Sequence, residues 1–239
     1  MAGPGYGRGL RRLVVLLPLL GFLAAGCSDS SEPAAPAEVS SDAVADQATA
    51  AIASVATMRA DSSVTSSFEG QSTVVAQSQA DIDLRERIIT SEATFSLDPN
   101  VEDGAEQTEE AAVVDDRAYR RQPGEVWEPS GQTLVAVALP AFEQEGDDIS
   151  LALRTIVLAA PAPWIQTTGD DGAAYVSADE TSGETLELDI DDQGHLARIA
   201  RSQPPFGIEV DEPFRVGAET VFSEFDTTVV ELPPDLPSE

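Results

Sequence analysis

The sequence predicts an α+β domain in which an antiparallel sheet carries a few helices. Two features lead there. Most of the chain after residue 64 is rich in β-branched residues and alternates apolar with polar positions in short runs separated by turn signals. Only two stretches beyond the N-terminus place apolar residues at helical spacing, near residues 41–58 and 148–159.

The first 26 residues stand apart. Arg8, Arg11 and Arg12 precede an apolar run at 13–25, which leads through Ala24, Ala25 and Gly26 to Cys27. A charged, then apolar, then small-residue order is that of a secretory signal, and the run is well short of the roughly 20 residues a membrane-crossing helix needs. An ordinary signal makes no demand for a cysteine, yet Cys27 is the only one in the chain. The stretch Leu23-Ala24-Ala25-Gly26-Cys27 resembles a bacterial lipobox, with alanine where leucine is usual three residues ahead of the cysteine. That resemblance implies that the Cys27 thiol is acylated and becomes the mature N-terminus. Stable anchoring takes more than one acyl chain, and lipoproteins of this kind carry a diacylglycerol. The expected organisation is a signal at 1–26, an acylated cysteine and flexible tether at 27–40 containing Pro33 and Pro36, and one domain at 41–239. The expected location is the extracytoplasmic side of the cell membrane.

Within the domain, Val44, Ala48, Ala51, Ile52, Val55 and Met58 predict a helix over 41–58, capped by Ser41 or Asp42. Strands follow from Val64, with Gly70 as a turn, then an acidic loop at 99–110. Residues 111–129 read as a hairpin turning at Gln122-Pro123-Gly124. The apolar segment 131–145 and a helix over 148–159, stopped by Pro161, come next. Strands resume at 172–179, and at 184–203 Leu186, Leu188 and Ile190 alternate against Leu196 and Ile199 in a hairpin. A last strand ends before Pro233 and Pro234.

Charge narrows the function. The chain has 43 acidic and 13 basic residues, all of the latter arginine, for a net −30. The first 26 residues hold three arginines and no acid, so the chain from Cys27 onward carries −33. Such a surface repels nucleic acid, which excludes nucleic-acid binding. Catalysis finds little support. The single histidine, His195, sits in a hairpin turn, and no Gly-x-Ser-x-Gly elbow or phosphate loop is present. The stretch Asp189-Ile190-Asp191-Asp192-Gln193-Gly194 opens like a calcium loop, but its twelfth position is Ala200 rather than glutamate, so it reads as a turn. Neither a cofactor nor a metal is expected, and His195 is expected as an exposed turn residue.

The order of lipobox, tether, amphipathic helix, strands, central helical insertion and returning strands resembles the LolA/LolB and LppX/LprG type of lipoprotein. The residues that carry the likeness are 118–127, 186–199 with its Asp-Asp-Gln-Gly turn, and 222–234. The resemblance implies a half-barrel, a curled antiparallel sheet over helices with an apolar cavity for acyl chains between them. Ile149, Leu151, Leu153, Ile156, Val157 and Leu158 nearly encircle their helix, so more than one side must be covered, by a cavity and its lipid or by a neighbouring helix or loop. The candidate lining residues are Trp127, Val135, Val137, Leu139, Ile149, Leu153, Ile156, Val157 and Trp164. Two functions follow. One is a lipoprotein that binds or carries a lipid or glycolipid without chemistry; the other is a tethered module binding an envelope protein on the same fold. A connected cavity favours the first, and a filled core with an exposed apolar groove favours the second.

Overall fold

The computed structural model describes residues 36–68, 71–96, 106–161, 163–169, 172–204 and 214–237; Cys27, the signal-like segment and the Gly70 turn lie outside them. Twelve strands run in chain order: β1 (Ala37–Val39), β2 (Thr57–Phe68), β3 (Gln71–Asp83), β4 (Ile88–Ser96), β5 (Glu106–Val114), β6 (Arg117–Arg121), β7 (Glu128–Ser130), β8 (Trp164–Gly169), β9 (Gly172–Ala178), β10 (Thr185–Asp191), β11 (Leu196–Gln203) and β12 (Arg215–Ser223). They form one antiparallel sheet in the order β1-β8-β9-β10-β11-β12-β2-β3-β4-β5-β6-β7. Among the described residues there are also three helices, α1 (Ser41–Ala53), α2 (Leu134–Ala138) and α3 (Ile149–Leu158), and a 3₁₀ turn (Pro140–Phe142).

The sheet is open at β1 and β7, and it curls. Laid flat, twelve strands would extend about 53 Å. Yet Trp164 of β8, Leu188 of β10, Met58 of β2 and Ala118 of β6 share one continuous core with the helices. Three short helices reach all of them only if the sheet wraps around. Along each strand the inward residues follow the period of two: Met58, Ala60 and Ser62 are buried on β2, paired with Ile82, Ala80 and Ser78 of β3.

Local chemistry sets the elements. The cap of α1 is Ser40, one residue before the expected Ser41 or Asp42: its hydroxyl accepts the Ala43 N–H at 3.3 Å, and Val44, Ala45, Ala48, Ala51 and Ile52 of the helix face the core. The helix stops at Ala53, earlier than its apolar period suggests. Ser54 turns back, its hydroxyl donating to the Ala51 carbonyl at 2.8 Å. Val55 and Met58 therefore fall in the connector and β2, still buried, because a place in the middle of a sheet outweighs the helical spacing. Ala37–Val39, placed in the tether by sequence, instead pair with β8.

The first hairpin after the acidic loop turns elsewhere than expected. β5 and β6 join at Asp115-Asp116, with φ of 50° and 62°, a double left-handed turn that aspartate tolerates. Gln122-Pro123-Gly124 then bends the chain into β7. Half of the expected acidic loop is strand, since Glu106–Val114 is β5; Glu110 there meets Arg121 of β6 at 2.5 Å. The β10–β11 hairpin has the expected pairs, Leu188 opposite Ile199 and Ile190 opposite Leu196. Asp191 Oδ1 accepts the N–H of Gln193 and His195, and Gly194 supplies φ 87°.

Candidate functional site

The helical layer and one end of the sheet border an open cleft of about 910 Å³. Its walls are the end of α1, the β3–β4 turn at 83–87, the loop 144–148 and the first turns of α3, with Asp116 at the side. The floor is apolar, made by Ile52, Val55, Ile82, Leu134, Ile149 and Ala152, all buried. Leu151 lies at the edge, 62% exposed. The volume falls within the roughly 300–1,000 Å³ typical of small-molecule sites.

Each wall is held by a local device. Asp83 Oδ1 accepts the N–H of both Arg85 and Glu86 at 2.9 Å, fixing the β3–β4 turn. Across the cleft, Thr133 Oγ1 caps α2 and also accepts the Gly146 N–H at 2.9 Å, while Val135 donates its N–H to the Gly146 carbonyl. Gly146 has φ 133°, a conformation that side-chain-bearing residues rarely adopt. Asp148 caps α3 by accepting the Leu151 N–H at 3.1 Å. Arg87 joins the two sides, pairing with Asp116 at 2.6 Å and donating to the Asp147 carbonyl at 3.2 Å.

This leaves three free charges on the rim. Among the described residues the Arg85 guanidinium has no hydrogen bond or ion pair, and neither has the carboxylate of Glu145 or Asp147. Arg85 acts at longer range on Asp226, whose carboxyl it helps to lower.

The nine candidate lining residues divide. Val135, Val137, Leu139, Ile149, Leu153, Ile156, Val157 and Trp164 all pack in the main core. Of these, Ile149 also floors the cleft. Trp127 lies apart, with Tyr119 and Ala112 on the opposite face of the sheet, because neighbouring residues on β5 and β6 point to opposite faces. There Arg121 stacks over the Trp127 ring at 4.4 Å, and the indole N–H donates to Asp235 at 3.2 Å. Trp164 is wholly buried, and its indole N–H has no hydrogen-bond partner among the described residues. Cys27 lies outside the described residues.

The sequence reading missed the cleft because its parts come from five separate places in the chain. The visible signals were the arginines Arg85 and Arg87 within a nearly uniformly acidic sequence, and the acidic stretch 143–148. A second, apolar pocket between the 3₁₀ turn and β2–β4 has only about 100 Å³, with Val64, Ala76 and Phe95 in its walls. That is too small to enclose a lipid chain.

His195 is half-buried rather than exposed. Its ring stacks on Phe225 at 4.5 Å, and Nδ1 lies 3.2 Å from Asp191 Oδ2, so it clamps the chain after β12 onto the β10–β11 turn. Among the described residues no group of three or more His, Cys, Asp or Glu is placed to hold a metal, and no helix is long and apolar enough to cross a membrane.

No family model matches this sequence, and no curated protein does. Solved structures similar to it include three that follow. LprF from Mycobacterium bovis has a TM-score of 0.41 at 10% identity, over 82% of this chain and 97% of its own. A LolA superfamily protein from Nitrosomonas europaea has a TM-score of 0.29 at 11% identity, over 82% and 96%. A DUF1329 family protein from Desulfovibrio piger has a TM-score of 0.29 at 10% identity, over 79% and 94%.

Proposed function

We propose that this chain is an envelope lipoprotein, held at the membrane by an acylated Cys27, that takes lipid acyl chains into the cleft between α1, α3 and the β3–β4 turn without covalent chemistry. In this reading residues 1–26 are a signal, a tether follows Cys27, and the remaining chain is one lipid-binding domain on the extracytoplasmic side. The observation that carries it is an apolar floor under a charged rim, at a volume suited to a small ligand. A lipid has that same division, with chains to desolvate and a head to leave in water.

One observation favours the second reading, a tethered module for an envelope protein. The core is filled where the candidate lining residues lie, and Leu151 and Leu158, seven residues apart on α3, are exposed at 62% and 44%.

A neutral probe separates the two. Pyrene-labelled diacylglycerol should bind the wild-type chain, and Ser150→Trp, which narrows the cleft, should weaken binding with the fold intact by circular dichroism. In the same preparations Cys27→Ala should move the chain from the membrane to the soluble fraction. A wild-type chain that ignores the probe leaves the protein-binding module.

A further inference from the structure

We infer that the cleft selects zwitterionic phospholipids, with the head group's phosphate on Arg85 and its primary ammonium on Glu145 and Asp147. This rests on the reading that the cleft takes a lipid.

The argument is one of charge left over. Seven ionised side chains line the cleft: Asp83, Asp116, Glu145, Asp147 and Asp148 against Arg85 and Arg87. Four of them are already engaged. Arg87 and Asp116 pair with each other, Asp83 is used by two backbone amides, and Asp148 caps α3. The side chains left without a hydrogen bond or ion pair among the described residues are one cation, Arg85, and two anions, Glu145 and Asp147. They stand on opposite walls that Arg87 ties together through the Asp147 carbonyl at 3.2 Å. Every other described arginine has a partner, so Arg85 is the group with donors to spare in a chain of net −30.

A purely anionic head group would satisfy Arg85 but meet Glu145, Asp147 and the field of the whole molecule. A purely cationic one would leave Arg85 facing another positive charge. A head carrying both signs meets all three free groups, with bidentate phosphate contacts from the guanidinium and ammonium donors on the carboxylates.

Calorimetric titration of the full chain with dihexanoyl phosphatidylethanolamine and dihexanoyl phosphatidylglycerol tests this at equal chain length. Phosphatidylethanolamine should bind the wild type about tenfold more tightly, the scale of one charge-assisted hydrogen bond, and Arg85→Ala should weaken both lipids, which share the phosphate, without removing that advantage. Glu145→Gln with Asp147→Asn should remove the advantage, lowering phosphatidylethanolamine affinity and raising that of phosphatidylglycerol. Equal affinities for both lipids in the wild type, or an advantage that survives Glu145→Gln with Asp147→Asn, overturn the head-group inference and leave the cleft as a chain-binding site. Binding of neither lipid, together with no binding of pyrene-diacylglycerol, overturns the lipid reading with it.

Discussion

The Asp226 carboxylate accepts the backbone N–H of Ala56 at 2.6 Å, while its own N–H donates to the Thr57 carbonyl at 2.8 Å. The two ends of the sheet domain are thereby joined across 170 residues of sequence. Hydrogen bonding by the Ala56 amide, helped by Thr57 and by the charges of Arg85 and His195, holds the Asp226 carboxyl below its usual value. A lowered folded-state pKa means that the charged form is favoured by the native structure. Its stabilisation is complete above the ordinary aspartate value of about 3.9 and fades as pH falls through the lower folded value. Asp226→Asn should therefore lower the melting temperature at pH 7, and the gap to wild type should close as pH drops below about 4. A gap that persists unchanged at pH 2 would show that the amide of asparagine fails for a reason other than charge.

On α3 the sequence shows apolar residues nearly all round, and the structure sorts them. Leu153 is fully buried between the helical layer and the sheet, whereas Leu151, two residues earlier, is mostly in solvent. Truncating Leu153 to alanine leaves a void that close-packed neighbours fill only in part, a cost of about 2–5 kcal/mol. Leu151→Ala removes little buried surface and should stay within about 0.5 kcal/mol. Urea unfolding of the two variants measures the contrast. Equal, small losses would mean that α3 faces open space on both sides, as a cavity-lining helix does, rather than the packed core seen here.

At the scale of the whole molecule, 43 acids and 13 arginines make self-repulsion the dominant long-range term. The arginines soften it locally. Arg198 sits among Glu187, Asp189 and Glu219, which hold its pKa raised against the opposing effect of burial, and Arg59 bridges Asp81 and Glu224. These pairs are part-exposed and weaken with salt, but the unpaired acids outnumber them. Salt shortens the reach of a charge to about 10 Å at 0.1 M and about 3 Å at 1 M. The melting temperature should therefore climb from low salt to molar NaCl, as scanning calorimetry would show. A falling curve would mean that the arginine networks outweigh the repulsion.

The α+β class, the hairpin at 184–203 and the start of α1 were legible in the sequence because local rules decide them. Apolar alternation assigns faces, Asp191 and Gly194 build a turn, and a serine at the boundary caps a helix, although the capping residue is Ser40 rather than Ser41 or Asp42. The end of α1, the strand at Ala37–Val39, β8 and the side of the sheet that takes Trp127 were not legible. They are fixed by the strands that each segment pairs with: Thr57 by Asp83, Ala37 by the distant Gln166, Ala118 by Ser130. The cleft belongs wholly to this second kind. Its floor and its three free charges are ordinary residues until the curl of the sheet brings the β3–β4 turn opposite α3. Composition could set the sign of the surface charge, but only the tertiary structure could decide which charges would be left without a partner, because that depends on which side chains the fold brings within hydrogen-bond reach.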